Sequence, residues 1–130
     1  MRRRHLPDDS GSAPVEFILV GTLLTVLTLG VLQLGLGVYV RNVVHDAAVE
    51  GAYEAALADG SLSDGEARTR DLISRAIGDA YARQVEATVT SVGGQRTVKV
   101  TVRTPIPVMG LLGAPGAWEV SADAPAESFE

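Results

Sequence analysis

Glu16 is the residue most in need of a chemical reason: it stands in Gly11-Ser12-Ala13-Pro14-Val15-Glu16-Phe17, directly against an uncharged apolar run from Phe17 to Val40. A carboxylate at that place has two uses. It can sit in the first turns of a helix and interact with the positive end of the helix dipole, with Pro14 in the first turn where a missing N–H costs nothing. Alternatively it can pair with a cation at the edge of a bilayer, where an isolated charge is costly. Other chemistry-bearing residues form no constellation. His5 and His45 lie on opposite sides of the apolar run and cannot share a metal or a proton relay. Asp59-Gly60-Ser61-Leu62-Ser63-Asp64-Gly65 has the outline of a calcium loop, but Leu62 and Ser63 occupy ligand positions and the closing glutamate is misplaced, so a turn with a helix cap accounts for it. No nucleophile elbow or phosphate loop is present. These absences point away from an enzyme, and no cofactor or small-molecule substrate is expected.

The element that positions Glu16 is the apolar run itself. Its 24 residues include 15 that are Leu, Ile, Val or Phe. As a helix they span about 36 Å, against a hydrocarbon core of about 30 Å. Insertion is favoured by roughly 5 to 9 kcal/mol from these side chains. A cleaved secretory signal, with Gly35-Leu36-Gly37 as its small-x-small site, is the competing reading, but such signals carry apolar stretches of about 7 to 15 residues. A retained span is therefore expected. Arg2, Arg3 and Arg4 precede it and Arg41 alone follows closely, which predicts a cytoplasmic N-terminus and an extracytoplasmic C-terminal part. Gly30, Gln33 and Gly37 share one helix face and form a candidate packing stripe for another helix; the alternative is that the glycines are incidental and Gln33 bonds its own backbone.

Beyond Arg41, 89 residues remain, enough for a small core and little for a deep pocket. The net charge is −5, and acids outnumber bases after Arg41, which excludes a basic surface able to grip nucleic acid. Cysteine is absent, which removes disulfides and thiol chemistry from consideration.

The spacing Gly11, four residues, Glu16, Phe17 resembles the processing site of type IV pilin-like precursors. The closer resemblance is to TadE-like proteins, minor pseudopilins of tight-adherence pilus systems. It extends to Asn42-Val43-Val44 and Ala47-Ala48-Val49-Glu50-Gly51-Ala52, about 40 residues in all with the junction. An Arg-rich continuation is common in relatives after that tract; Tyr53-Glu54 stands here instead. The resemblance implies cleavage by a prepilin peptidase between Gly11 and Ser12, with residues 1–11 as a basic cytoplasmic leader. Residues 12–40 would then be the junction and membrane helix, and 41–130 an extracytoplasmic α+β domain. It further implies that Glu16, fifth in the mature chain, pairs with the Ser12 amine of a neighbour and so, with Phe17, sets the register of packed helices. The expected partners are other pilin-like subunits, the peptidase and an inner-membrane assembly platform. The alternative is a membrane-tethered binding module that never polymerises.

The remaining pattern predicts the domain. Val40, Val43, Val44, Ala47, Ala48, Ala52, Ala55 and Ala56 recur at helical steps, extending the span into an amphipathic stem that ends near Asp59-Gly60, packed on its own domain or on neighbours. Ser63 and Glu66 have capping-box spacing, which predicts a second helix over 63–82, with Ala67, Leu72, Ile73, Ala76, Ile77, Ala80 and Tyr81 on its apolar face. Gly93-Gly94 between two alternating runs predicts a hairpin in which Val92 meets Gln95, Val89 meets Val98 and Val85 meets Val102. A third strand is expected over 117–124. Pro105 to Pro115 encloses Ile106, Val108, Met109, Leu111 and Leu112, an apolar loop either tucked beneath the sheet or exposed as a candidate partner loop. The fold expected is α+β and pilin-like: an N-terminal transmembrane helix extended into a stem, a second helix and a three-stranded antiparallel sheet.

Overall fold

A computed structural model describes residues 11–106 and 116–127. Helix α1 runs over Ser12–Ala56, helix α2 over Leu62–Ile77, and strands β1, β2 and β3 over Gln84–Val92, Gln95–Pro105 and Ala117–Pro125. The chain divides into two units, Met1–Leu34 and Gly35–Glu130.

The described part of the first unit is the apolar portion of α1, long and apolar enough to cross a membrane. Its large side chains face outward, from Val15 and Phe17 to Leu34. Two of its three threonine hydroxyls bond back within the helix, Thr25 Oγ1 to the Gly21 carbonyl and Thr28 Oγ1 to that of Leu24, both at 2.8 Å. Such back-bonding satisfies these two O–H groups in an apolar setting.

In the second unit α1 turns amphipathic as the alanine spacing predicts. Val40, Val44, Ala47, Ala48, Ala52, Ala55 and Ala56 are buried in one core with Ile73 of α2 and with Val85, Ala87, Val98, Val100, Val102, Val120, Ala122 and Ala124 of the sheet. The stem is thus packed on its own domain. It stops at Ala56, short of the expected Asp59-Gly60. Gly60 N–H donates to the Leu57 carbonyl (3.0 Å) to make the turn, and Glu127 N–H donates to the otherwise unpaired Ala56 carbonyl (2.9 Å).

The second helix differs from expectation at both ends. Ser61, not Ser63, is the N-cap: its hydroxyl accepts from Asp64 N–H (3.2 Å) while Ser61 N–H donates to the Asp64 carboxylate (3.1 Å). Asp64 therefore closes the box, and Glu66 is left for another use described below. At the other end Gly78 adopts φ 109°, where a side chain is disfavoured, and stops the helix at Ile77. Ala80 and Tyr81 fall in a single 3₁₀ turn, Asp79–Tyr81. The buried face is Gly65, Thr69 and Ile73, with Leu72 and Ile77 half-buried, whereas Ala67, Ala76 and Ala80 are exposed.

The sheet order is β1-β2-β3, antiparallel throughout. The β1–β2 register is the one predicted, Val92 with Gln95 through Val85 with Val102, joined by Gly93 and Gly94 at φ 59° and 84°. Two consecutive positive φ values are what a twist-matched two-residue hairpin needs. In β3, Val120, Ala122 and Ala124 point to the core and pair with Val102, Val100 and Val98.

Thr104, beside Trp118 in this sheet, is fully buried, and among the described residues its hydroxyl has no partner. Thr104→Val keeps the shape and removes an unpaired polar group. It is expected to stabilise the chain by about 1 kcal/mol, measured as a higher urea midpoint of the full chain in detergent.

Candidate functional site

The sequence-derived site lies at the head of α1. Gly11 forms the last non-α-helical step, and a side chain built there would meet nothing within 4 Å. Ser12 is the first residue of the helix. The whole stretch from Gly11 to Val20 is exposed, including Phe17 at 79%. No described residue packs against Gly11.

This start places Glu16 fifth in the helix, past the first turn, which contains no acid. Favourable interaction with the helix dipole fades beyond that turn. Among the described residues Glu16 has no hydrogen-bonding or ion-pair partner.

The proposed packing stripe is divided. Gly30 has open space around it, Gln33 is half-buried, and both belong to the first unit. Gly37 belongs to the second: a Cβ there would lie 3.1 Å from Cη2 of Trp118. Gly37 thus serves contact with its own domain. Of the candidate partner loop, Val108, Met109, Leu111 and Leu112 lie outside the described residues. Ile106 is half-buried, and its N–H donates to the Gly116 carbonyl (3.1 Å).

Three features escaped the sequence reading. The first is a helix crossing at which Gly51 of α1 meets Gly65 and Thr69 of α2. A Cβ on Gly65 would lie 2.5 Å from the Gly51 carbonyl oxygen and 2.6 Å from the Ala55 Cβ. Thr69 Oγ1 donates to the Gly65 carbonyl (2.8 Å) and lies 3.3 Å from that of Ala47. The signal was there, two glycines inside helical patterns, although nothing in the pattern names their partners. The second is an open groove of about 290 Å³ beside this crossing, lined by Val43, Ala47, Leu72 and Ala76 with Asp46 and Glu50 at the rim. Glu50 is engaged there by Arg68 at 3.0 Å. The third is the use of Glu66 and Arg70 at the edge of β1, treated below.

The exposed glycine, the helix starting one residue later, the acid at its fifth place and the apolar run behind it form one contiguous stretch, and it is this stretch that has recognisable relatives. Residues 11–52 match the family model of TadE-like proteins. The TadE-like segment takes in the whole junction, the apolar part of α1 and the stem as far as Ala52, while α2 and the sheet lie outside it. No curated protein and no solved structure is a significant match to the chain. The match covers 42 of the 130 residues.

Proposed function

We propose that the chain is a minor pilin-like subunit of a tight-adherence pilus or a related secretion apparatus, working by helix packing and assembly. A prepilin peptidase cuts between Gly11 and Ser12 on the cytoplasmic side. The apolar part of α1 stays in the membrane, and the α+β unit lies outside the cytoplasm. The freed Ser12 amine of one subunit meets the Glu16 carboxylate of the next, while an inner-membrane platform gathers the subunits. What carries the reading is the coincidence of three positions inside the TadE-like segment: an exposed Gly11, a helix beginning at Ser12, and at its fifth residue an acid with no partner among the described residues.

The mature N-terminus tests it. Intact-mass analysis of the protein purified from its native membrane is expected to show a chain beginning at Ser12. Gly11→Leu is expected to abolish that species and leave the full-length one. A wild-type chain that retains Met1 would instead support the tethered binding module, with α1 as a plain anchor.

A further inference from the structure

The two edges of the sheet are finished differently. In an antiparallel ladder, alternate residues of an edge strand turn both backbone groups away from the neighbouring strand. Ala126 N–H donates to the Arg96 carbonyl (2.9 Å) and Ile106 N–H to the Gly116 carbonyl (3.1 Å), at opposite ends of the β2–β3 ladder. These two bonds fix its phase. Trp118, Val120, Ala122 and Ala124 bond to β2, while Glu119, Ser121 and Asp123 turn their N–H and C=O groups outward.

The same alternation on β1 turns Val85 and Ala87 outward, and there α2 closes the edge. Arg70 Nη2 donates to the Val85 carbonyl (2.9 Å), and Ala87 N–H donates to Glu66 Oε1 (2.9 Å). Arg70 and Glu66 are paired with each other at 3.6 Å, one helical turn apart. Among the described residues nothing comparable caps the outer edge of β3. Pro125, with no N–H to offer, marks where a ladder there would end.

The charge on this edge selects a partner. Glu119, Ser121 and Asp123 are exposed on one face, and β2 meets that face with Arg103 opposite Glu119 and Lys99 opposite Asp123. Arg103 Nε lies 3.2 Å from the Glu119 carboxylate. A second copy of β3 paired antiparallel about Ser121 would set Glu119 against Asp123 twice, and like charges directly opposite are destabilising. A strand repeating the basic spacing of β2 would meet the acids with opposite charge.

We propose that the outer edge of β3 is a docking edge for an extended segment of a partner protein bearing Lys or Arg four positions apart on one face and small apolar residues on the other. The segment adds as a fourth strand, its backbone bonding Glu119, Ser121 and Asp123 and its basic side chains meeting Glu119 and Asp123. This is independent of leader processing and of the pilus reading.

The test uses the full chain in detergent micelles and a labelled synthetic peptide, Thr-Val-Lys-Val-Thr-Val-Arg-Thr, the sequence of residues 97–104. Binding is followed by fluorescence anisotropy at low salt, with amide exchange locating the site. The peptide is expected to bind and to protect the amides of Glu119, Ser121 and Asp123. Ser121→Pro removes an outward N–H that β2 does not use and should weaken binding roughly tenfold or more. Glu119→Lys with Asp123→Lys should also weaken it and should favour a peptide with Glu in place of Lys and Arg, an arm that still decides the matter if the proline variant fails to fold. Absence of binding, protection at β1 or in the α1–α2 groove, or binding indifferent to charge reversal would each overturn the proposal.

Discussion

Gly51→Leu is expected to cost the C-terminal unit about 3 kcal/mol or more, at the upper end of what overpacking does. Gly51→Ala is expected to cost about 1 to 3 kcal/mol. The sign of the alanine change is the informative part. At an exposed helical site, Gly→Ala stabilises by about 1 kcal/mol through helix propensity alone. At Gly51, a methyl group would run into Thr69 Oγ1 and would lie 2.5 Å from the Gly65 carbonyl oxygen. Backbone cannot rotate aside as a side-chain tip can, so relief requires the helices to separate, and separation loosens Thr69 and Ile73, both fully buried. The domain has few large side chains with which to compensate, because its core is built mainly of alanine and valine. Small domains have about 5 to 15 kcal/mol of stability in total, so the leucine variant removes a large share. Fluorescence of Trp118, the single tryptophan, during urea unfolding of the full chain in detergent provides the measurement. Gly35→Ala, with open space around the site, should leave the midpoint unchanged or raise it. Equal behaviour of Gly35→Ala and Gly51→Ala would mean that the α1–α2 crossing is looser than described.

This crossing also shows where the sequence was informative and where it was not. The hairpin was legible to the residue because Gly93-Gly94 fixes the turn, and only one register then puts Val85, Ala87, Val98, Val100 and Val102 on the same side. The third strand and the continuation of α1 into the stem were legible for a similar reason, since local periodicity determines which face is buried. Helix ends were less so. Ser61 and Ser63 both offer a hydroxyl before an acid three places on, and the choice falls to Ser61 only because Asp64 closes the box while Glu66 is drawn to Ala87 N–H. Contacts between distant elements were not legible. Gly37 against Trp118, Gly51 against Gly65, and the buried hydroxyl of Thr104 depend on which surfaces meet, and no periodicity within one element carries that. At the candidate site the residue types were readable from Gly11 to Phe17. What the structure added is the starting point of α1, which removes Glu16 from the first turn.

Glu16→Ala should leave membrane insertion and processing intact while reducing assembly tenfold or more. Insertion cannot be what fails, because the substitution removes a charge from the edge of an apolar helix. Acids at the helix centre oppose insertion by about 2.5 to 3.5 kcal/mol, and losing one near the end can only make insertion easier. Stability of the C-terminal unit cannot be what fails either, since Glu16 is exposed and belongs to the other unit. What remains is the carboxylate's role toward another chain. Ser12 of the same chain lies one turn away, about 6 Å along the axis, so its freed amine competes for Glu16. If that internal pair satisfied both charges, assembly would be indifferent to Glu16→Ala, and the substitution therefore separates pairing within a chain from pairing between chains. An intersubunit ion pair worth about 1.4 kcal/mol at each contact gives the tenfold loss, and less water around the pair makes the loss larger. Glu16→Gln, which keeps the shape and a hydrogen-bonding end, should recover little, because an amide does not neutralise an amine. The measurement is crosslinking in native membranes, scored as the fraction of the Ser12-starting chain found in oligomers. A variant that is processed, inserted and crosslinked like the wild type would remove the carboxylate from the assembly mechanism and leave the apolar surface of α1 as the only attraction between subunits.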